Sequence, residues 1–430
     1  MNRLVRTYWF VVFCLTLLLC GCGHDKVEYV SFDGEDIFTP YNFEVVDLDD
    51  GLPANVPSLG SADSSMPSSA PAMRRTTSLT STSLMKEILA STRCHKIHSI
   101  AGTYISIDQT GATITLSGRV LLPVKGDIKN IILVSHYTIG ANYEAPSESF
   151  PLEGLLVPMG YALVCPDYIG FGITRECVHP YLCANVTAHN VVDMLQAVVP
   201  YLDSIGRKPV NDDIYLMGYS QGGATTMAVQ RLMETVGERY SKYPIRRNFA
   251  GAGPYDIAAT YDDAVKRDYL GIPCAIPMII QGMNVGENLG LDYKEFFKPV
   301  LLNHFDEWIN SKNYTVSQIA ELMGVNRLSE FMTDEARQKR TSSTSTLYRA
   351  MLHNSIVSAD GWYPEAPVYM FHSQDDDTVP FLNSQRAKDK FRHSNIEYNF
   401  GHYGTHQAGF VRFLGSVKTM LETDTDFKVK

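Results

Sequence analysis

The sequence predicts an α/β fold: a mostly parallel central sheet with helices on both faces and a helical cap insertion. Three observations carry this reading. Short, almost unbroken apolar runs such as NIILVSHY and GYALVCPDY recur, as in strands buried on both faces. Helical patterns alternate with them, as in VTAHNVVDMLQAVVPYLDSI, where Val191, Val192, Leu195, Val198, Val199 and Leu202 share one face. One stretch, roughly 257–362, breaks the alternation with helical pieces only.

Taken in order, TYISIDQTGATITLSGRVLLP from Gly102 alternates apolar and polar residues and breaks at Gly111, which reads as a hairpin. NIILVSHY and GYALVCPDY follow as strands. Between them PSESFPLEGLLVPM carries Leu155, Leu156 and Met159 at helical spacing, so the three form a βαβ unit. The pattern repeats with the VTAHN helix, the strand DIYLMGYS, the helix QGGATTMAVQRLMETV and the strand end NFAGAGPYD. In the last third PVYMFHSQ and NIEYNF read as strands, with VPFLNSQRAKDKFRH and HQAGFVRFLGSVKTML as helices. The interruption contains YKEFFKPVLLNHFDEWI, VSQIAELMG, MTDEARQKR and LYRAMLHNSIV. It is expected to be a cap, inserted after the sixth predicted strand and covering the carboxyl end of the sheet, where ligands of such sheets bind.

The N-terminus is organised differently. Arg3 and Arg6 precede an apolar run from Tyr8 to Leu19, too short for a span of about 20 residues, and this is a signal-peptide pattern. Leu19-Cys20-Gly21-Cys22 resembles a bacterial lipobox, which predicts a signal peptide over 1–21 and a lipid on Cys22. The chain is then an exported cell-envelope lipoprotein with the membrane as one partner. Residues 22–83 include a Ser/Pro-rich stretch from Gly51 to Ser83 that cannot bury enough surface to order itself, so the segment reads as a tether. The folded domain is expected over 84–430. Its five cysteines, Cys94, Cys165, Cys177, Cys183 and Cys274, are an odd set in which Cys177 and Cys183 form the best candidate bridge. A net charge of -10 without a basic block argues against a nucleic-acid partner. Oligomeric state has no sequence signature here.

The chemistry centres on MGYSQGGA, Met217 to Ala224. GxSxG alone is a weak signal, but here it follows a predicted strand and opens a predicted helix, the setting in which Ser220 sits on a strained elbow above the sheet. The Gln221 amide at the helix N-terminus then points to where an oxyanion develops. A serine needs a base and an orienting acid. The turn after VYMFHSQ offers Asp375, Asp376 and Asp377; Asp376 is the first choice and its neighbours are the alternatives. Two histidines, His402 and His406, precede the last helix, and His406 is preferred because it abuts AGFVRFL. A second oxyanion donor is expected from the loop ILVSHYTIGANYEAPS, at the backbone of Tyr137 or Thr138, with His136 ordering the loop. His95 and His98 lack the partners of a metal site, and His189 and His372 read as satisfied polar groups.

These motifs together, GYALVCPDYIGFG, HPYLCANVTAHNVVDMLQAV, GYSQGG, GPYD and DDTVP, resemble the secretory lipase family of the α/β-hydrolase superfamily, here as a bacterial lipoprotein member. The resemblance spans about Gly102 to Leu414. It implies an α/β-hydrolase fold, a carboxylic ester hydrolase with a Ser-Asp-His triad under a helical lid, small-molecule or lipid ester substrates, and neither metal nor organic cofactor. Residue by residue, it assigns nucleophile, acid and base to Ser220, Asp376 and His406. The oxyanion loop departs from the family's frequent His-Gly-Thr by reading His136-Tyr137-Thr138, which sets a bulky side chain beside the acyl site. Alternatives are a carbohydrate acyl esterase, a prolyl-oligopeptidase-like peptidase, for which no propeller repeats precede the domain, and an inactive scaffold.

Overall fold

The computed structural model describes residues 37–54, 56, 80–236, 242–325, 327–359 and 361–424. Its strands are β1 (Thr39–Asp47), β2 (Lys96–Ile107), β3 (Thr113–Pro123), β4 (Ile131–Ser135), β5 (Ala162–Pro166), β6 (Ile214–Tyr219), β7 (Ile245–Gly251), β8 (Val368–Ser373) and β9 (Ile396–Gly401). They form one sheet in the order β1-β2-β3-β5-β4-β6-β7-β8-β9. The β1-β2-β3-β5 pairings are antiparallel and the rest are parallel.

The continuous apolar runs are continuous because both faces are covered. Along β4, Ile131 and Leu133 enter one core while Ile132 and Val134 enter the other; along β6, Leu216 faces the first core and Tyr215, Met217 and Tyr219 the second. The helices α1 (Ser81–Ser91), α2 (Ala184–Ser204) and α3 (Gln221–Thr235) precede the insertion. The first core takes Val191 and Leu195 of α2 and Val229 of α3, and the second takes Leu84 and Ile88 of α1.

Between β7 and β8 run α4 (Ile257–Arg267), α5 (Ala275–Gly286), α6 (Pro299–Leu302), α7 (Val316–Met323), α8 (Leu328–Phe331), α9 (Asp334–Arg337) and α10 (Ser342–Asn354). α11 (Leu382–Lys390) and α12 (His406–Thr423) close the chain, and α12 supplies Phe410, Phe413, Leu414 and Val417 to the second core. The 252–367 segment meets the loops that leave the carboxyl ends of the strands. The Asn142 amide donates to Lys312 O, the Lys312 ammonium to the carbonyls of Arg175 and Cys177, and the Gly271 amide to Asp377 O.

Four sequence expectations are corrected. The fold begins before Ser83: within the expected tether, Phe38 is buried over Gly102, β1 pairs with β2, and Glu44 reaches the buried Arg119 at 2.8 Å. A 3₁₀ helix, Leu152–Met159, replaces the expected α-helix, because Pro158 supplies no N–H and left-handed Gly160 ends the segment. YKEFFKPVLLNHFDEWI is several short turns rather than one helix, with Pro299 starting a new one and Phe297 bridging Met332. Cys177 and Cys183 are both free; Cys183 is buried in the core with its thiol against Gly282 O at 3.2 Å.

Candidate active site

Ser220 lies between β6 and α3 at φ 58°, ψ -124°, a left-handed conformation that a side-chain-bearing residue holds only when its surroundings enforce it. Enforcement is visible on both sides. The Ser220 amide donates to Gly251 O of β7 at 2.9 Å, and Ser220 O accepts from the amides of Gly223 and Ala224 in the first turn of α3. A side chain at Gly222 would fall on Ser135 O, and one at Gly223 on Gly251 O, so the helix starts in direct backbone contact with β4 and β7.

The acidic turn after β8 divides its three carboxylates. The Asp376 carboxylate is buried; its Oδ1 accepts from the amides of Thr378 and Val379 at 3.0 and 2.7 Å, and its Oδ2 accepts from His406 Nδ1 at 2.6 Å. Burial would push its pKa up, but His406 and His372 beside it hold it below the usual carboxylate range. Asp375 instead pairs with His402 at 2.8 Å on the exposed side of the loop. Asp377 accepts the His406 backbone amide at 3.2 Å, holding the start of α12. The sequence put Asp376 first and kept its neighbours as alternatives; the structure separates the three by direction.

His406 opens α12 and is 6 % exposed. With Nδ1 donating to Asp376, its Nε2 is an acceptor, and that atom is buried without a hydrogen-bond partner. The ring lies next to the elbow: Tyr219, the residue before Ser220, donates its hydroxyl to His406 O at 2.7 Å, and the two rings are 5.0 Å apart.

His372 is more than the satisfied polar group expected from sequence. Its Nε2 faces only oxygens, Val379 O at 3.1 Å and Asp376 Oδ2 at 3.4 Å, so it carries a hydrogen. Asp376 is thereby flanked by two imidazoles. No spacing in the sequence announces this, because the contact depends on how the turn folds back on its own strand.

In the loop after β4, His136 is buried with its two ring nitrogens against Tyr137 O (2.7 Å) and Asp167 O (3.0 Å). Burial lowers its pKa to about 4, although both carbonyls favour the proton. Thr138 Oγ1 meets the Tyr181 hydroxyl at 2.7 Å. Tyr137 packs its ring on Phe410, 5.4 Å between centroids, one turn beyond His406. Gln221 is buried at the start of α3.

Three further histidines lie elsewhere: His95 pairs with Asp49 at 2.7 Å, His98 packs on Phe43, and His189 is buried in α2. Among the described residues no group of histidine, cysteine and carboxylate side chains could hold a metal ion. Cys22 lies outside the described residues.

The model of the family described as secretory lipase matches residues 147–412, more than half of the chain. The chain belongs to the secretory lipase family. Membership makes this secretory lipase a carboxylic ester hydrolase and places it with an exported family. Solved structures similar to it include the esterase LipA of Xanthomonas oryzae, described as rice cell wall degrading, at 20 % identity over 78 % of this chain and 92 % of that one with a TM-score of 0.65. A Legionella pneumophila protein named only as a hydrolase matches at 19 % identity over 81 % and 97 %, TM-score 0.66. Candida antarctica lipase A matches at 15 % identity over 72 % and 73 %, TM-score 0.54. These likenesses establish the α/β-hydrolase fold. No curated protein matches the chain in sequence.

Proposed function

We propose that this secretory lipase cleaves carboxylic esters through an acyl-enzyme, with Ser220 as nucleophile, His406 as base and Asp376 as orienting acid. The observation that carries the reading is the state of His406. Its Nδ1–H is committed to a buried carboxylate, while its Nε2 is buried, unpartnered and set beside the elbow that lifts Ser220. An imidazole in that state can accept the hydroxyl proton as Ser220 attacks the ester carbonyl, and can return it to the leaving alkoxide. Asp376, held ionised, fixes the tautomer and stabilises the imidazolium. The Gln221 amide, at the positive end of α3, and one from Tyr137 or Thr138 receive the oxyanion. Water then releases the acid.

Hydrolysis of p-nitrophenyl esters from acetate to palmitate tests the reading. Ser220→Ala should abolish turnover and fluorophosphonate labelling with an unchanged circular dichroism spectrum; retained turnover sinks the assignment. A preference for long chains identifies a lipid ester substrate, and a preference for acetate a small-ester or carbohydrate-ester one. We also propose that the enzyme is held at the cell envelope by a lipid on Cys22, which fractionation of Cys22→Ser tests.

A further inference from the structure

Gln221 contributes its backbone to the proposed oxyanion hole, but its side chain also has a defined partner. The Gln221 Nε2 lies 2.8 Å from His179 Nε2. The direction of this bond follows from the other ring nitrogen: His179 Nδ1 is 2.7 Å from Ile169 O, which can only accept, so Nδ1 carries the hydrogen and Nε2 is the bare acceptor for the Gln221 amide.

His179 is itself immobilised. The backbone of Gly170 lies against it so closely that a Cβ there would approach His179 Cα to 2.8 Å. The rings of Tyr168, Phe171 and Tyr181 surround it, with centroids at 6.0, 5.2 and 5.8 Å. On the far side of Tyr168, His136 stacks at 3.9 Å, and Tyr181 is bonded to Thr138. A buried stack therefore runs from the loop after β4 to the first residue of α3, the two elements that carry the proposed oxyanion donors.

We propose that His179 is a positioning residue of the oxyanion hole: as acceptor for the Gln221 side chain, it fixes the start of α3 against the loop after β4 so that their N–H groups converge on one oxygen. This rests on the acyl-enzyme reading above. A displacement of about 1 Å in such a site costs on the order of 100-fold in rate, and it is felt in the transition state rather than in substrate binding.

The test is a steady-state comparison of His179→Phe, His179→Gln, Gln221→Leu and the double variant His179→Phe/Gln221→Leu on one p-nitrophenyl ester, with melting temperatures. His179→Phe and Gln221→Leu are each expected to lower kcat by about 10- to 100-fold with KM within about 2-fold. The double variant should be no worse than either single, since both remove the same bond. His179→Gln, whose carbonyl can replace the lost acceptor, should recover most of kcat. A folded His179→Phe with kcat within about 3-fold of the parent, or losses that multiply in the double variant, overturns the proposal. Should His179→Phe fail to fold, Gln221→Leu at parental kcat overturns it alone. Turnover by Ser220→Ala would instead bring down the underlying mechanism, so the two failures are distinguishable.

Discussion

Asp375, Asp376 and Asp377 differ in almost nothing as residues, yet each meets a different part of the same short segment, His402 to His406. Asp375 meets the His402 ring in solvent, Asp376 meets the His406 ring in the interior, and Asp377 meets the His406 backbone. Only the buried pair has a carboxylate with further donors behind it and an imidazole with a free inward nitrogen. The expected consequence is a sharp asymmetry. His406→Ala should lower kcat/KM by about 1,000-fold or more, whereas His402→Ala should stay within about 3-fold, because an exposed pair is screened by water. Parallel kinetics on the two variants decide it; equal losses would mean that His402 participates in proton transfer. The pattern Ser, Asp, His in chain order was readable in the sequence. The choice among neighbours was only a preference there, for Asp376 and His406, because what separates them is which way each side chain points once β8, β9 and α12 are packed.

At the scale of the element, the elbow shows what glycines do beside a strained serine. Their work here is less about freedom of φ than about distance, since the first turn of α3 lies on the carbonyls that end β4 and β7. Gly222→Ala should therefore push α3 away from Ser135, at the end of β4, and destabilise the protein by roughly 2–4 kcal/mol while cutting activity. Thermal melting and ester turnover read the two effects together, and an alanine variant with parental melting and rate would refute the close approach. Helices and strands with a long, clean period were legible. The segment Leu152–Met159 was legible as helical but not as 3₁₀, because its apolar spacing does not report the N–H that Pro158 withholds.

For the molecule as a whole, the helical segment between β7 and β8 is tied to the loops at the strand ends by buried bonds, above all the Lys312 ammonium on the carbonyls of Arg175 and Cys177. The segment predicted as a leader lies outside the described residues, and no described helix is long and apolar enough to cross a membrane. A lipid on Cys22 predicts that Cys22→Ser moves esterase activity from the membrane fraction to the soluble one with kcat unchanged; activity that stays with membranes would refute it. The sequence by itself determined the α/β class, the elbow and the order of candidate residues, because apolar periodicity and turn chemistry are local properties written in consecutive residues. It did not reveal β1, whose short alternation gains its partner only across the sheet, or the free state of Cys177 and Cys183. The tertiary structure alone decided which aspartate meets which histidine, and brought His372 behind Asp376 and His179 against Gln221. Those contacts join residues from separate elements, and a hydrogen bond between distant segments has no periodicity to betray it.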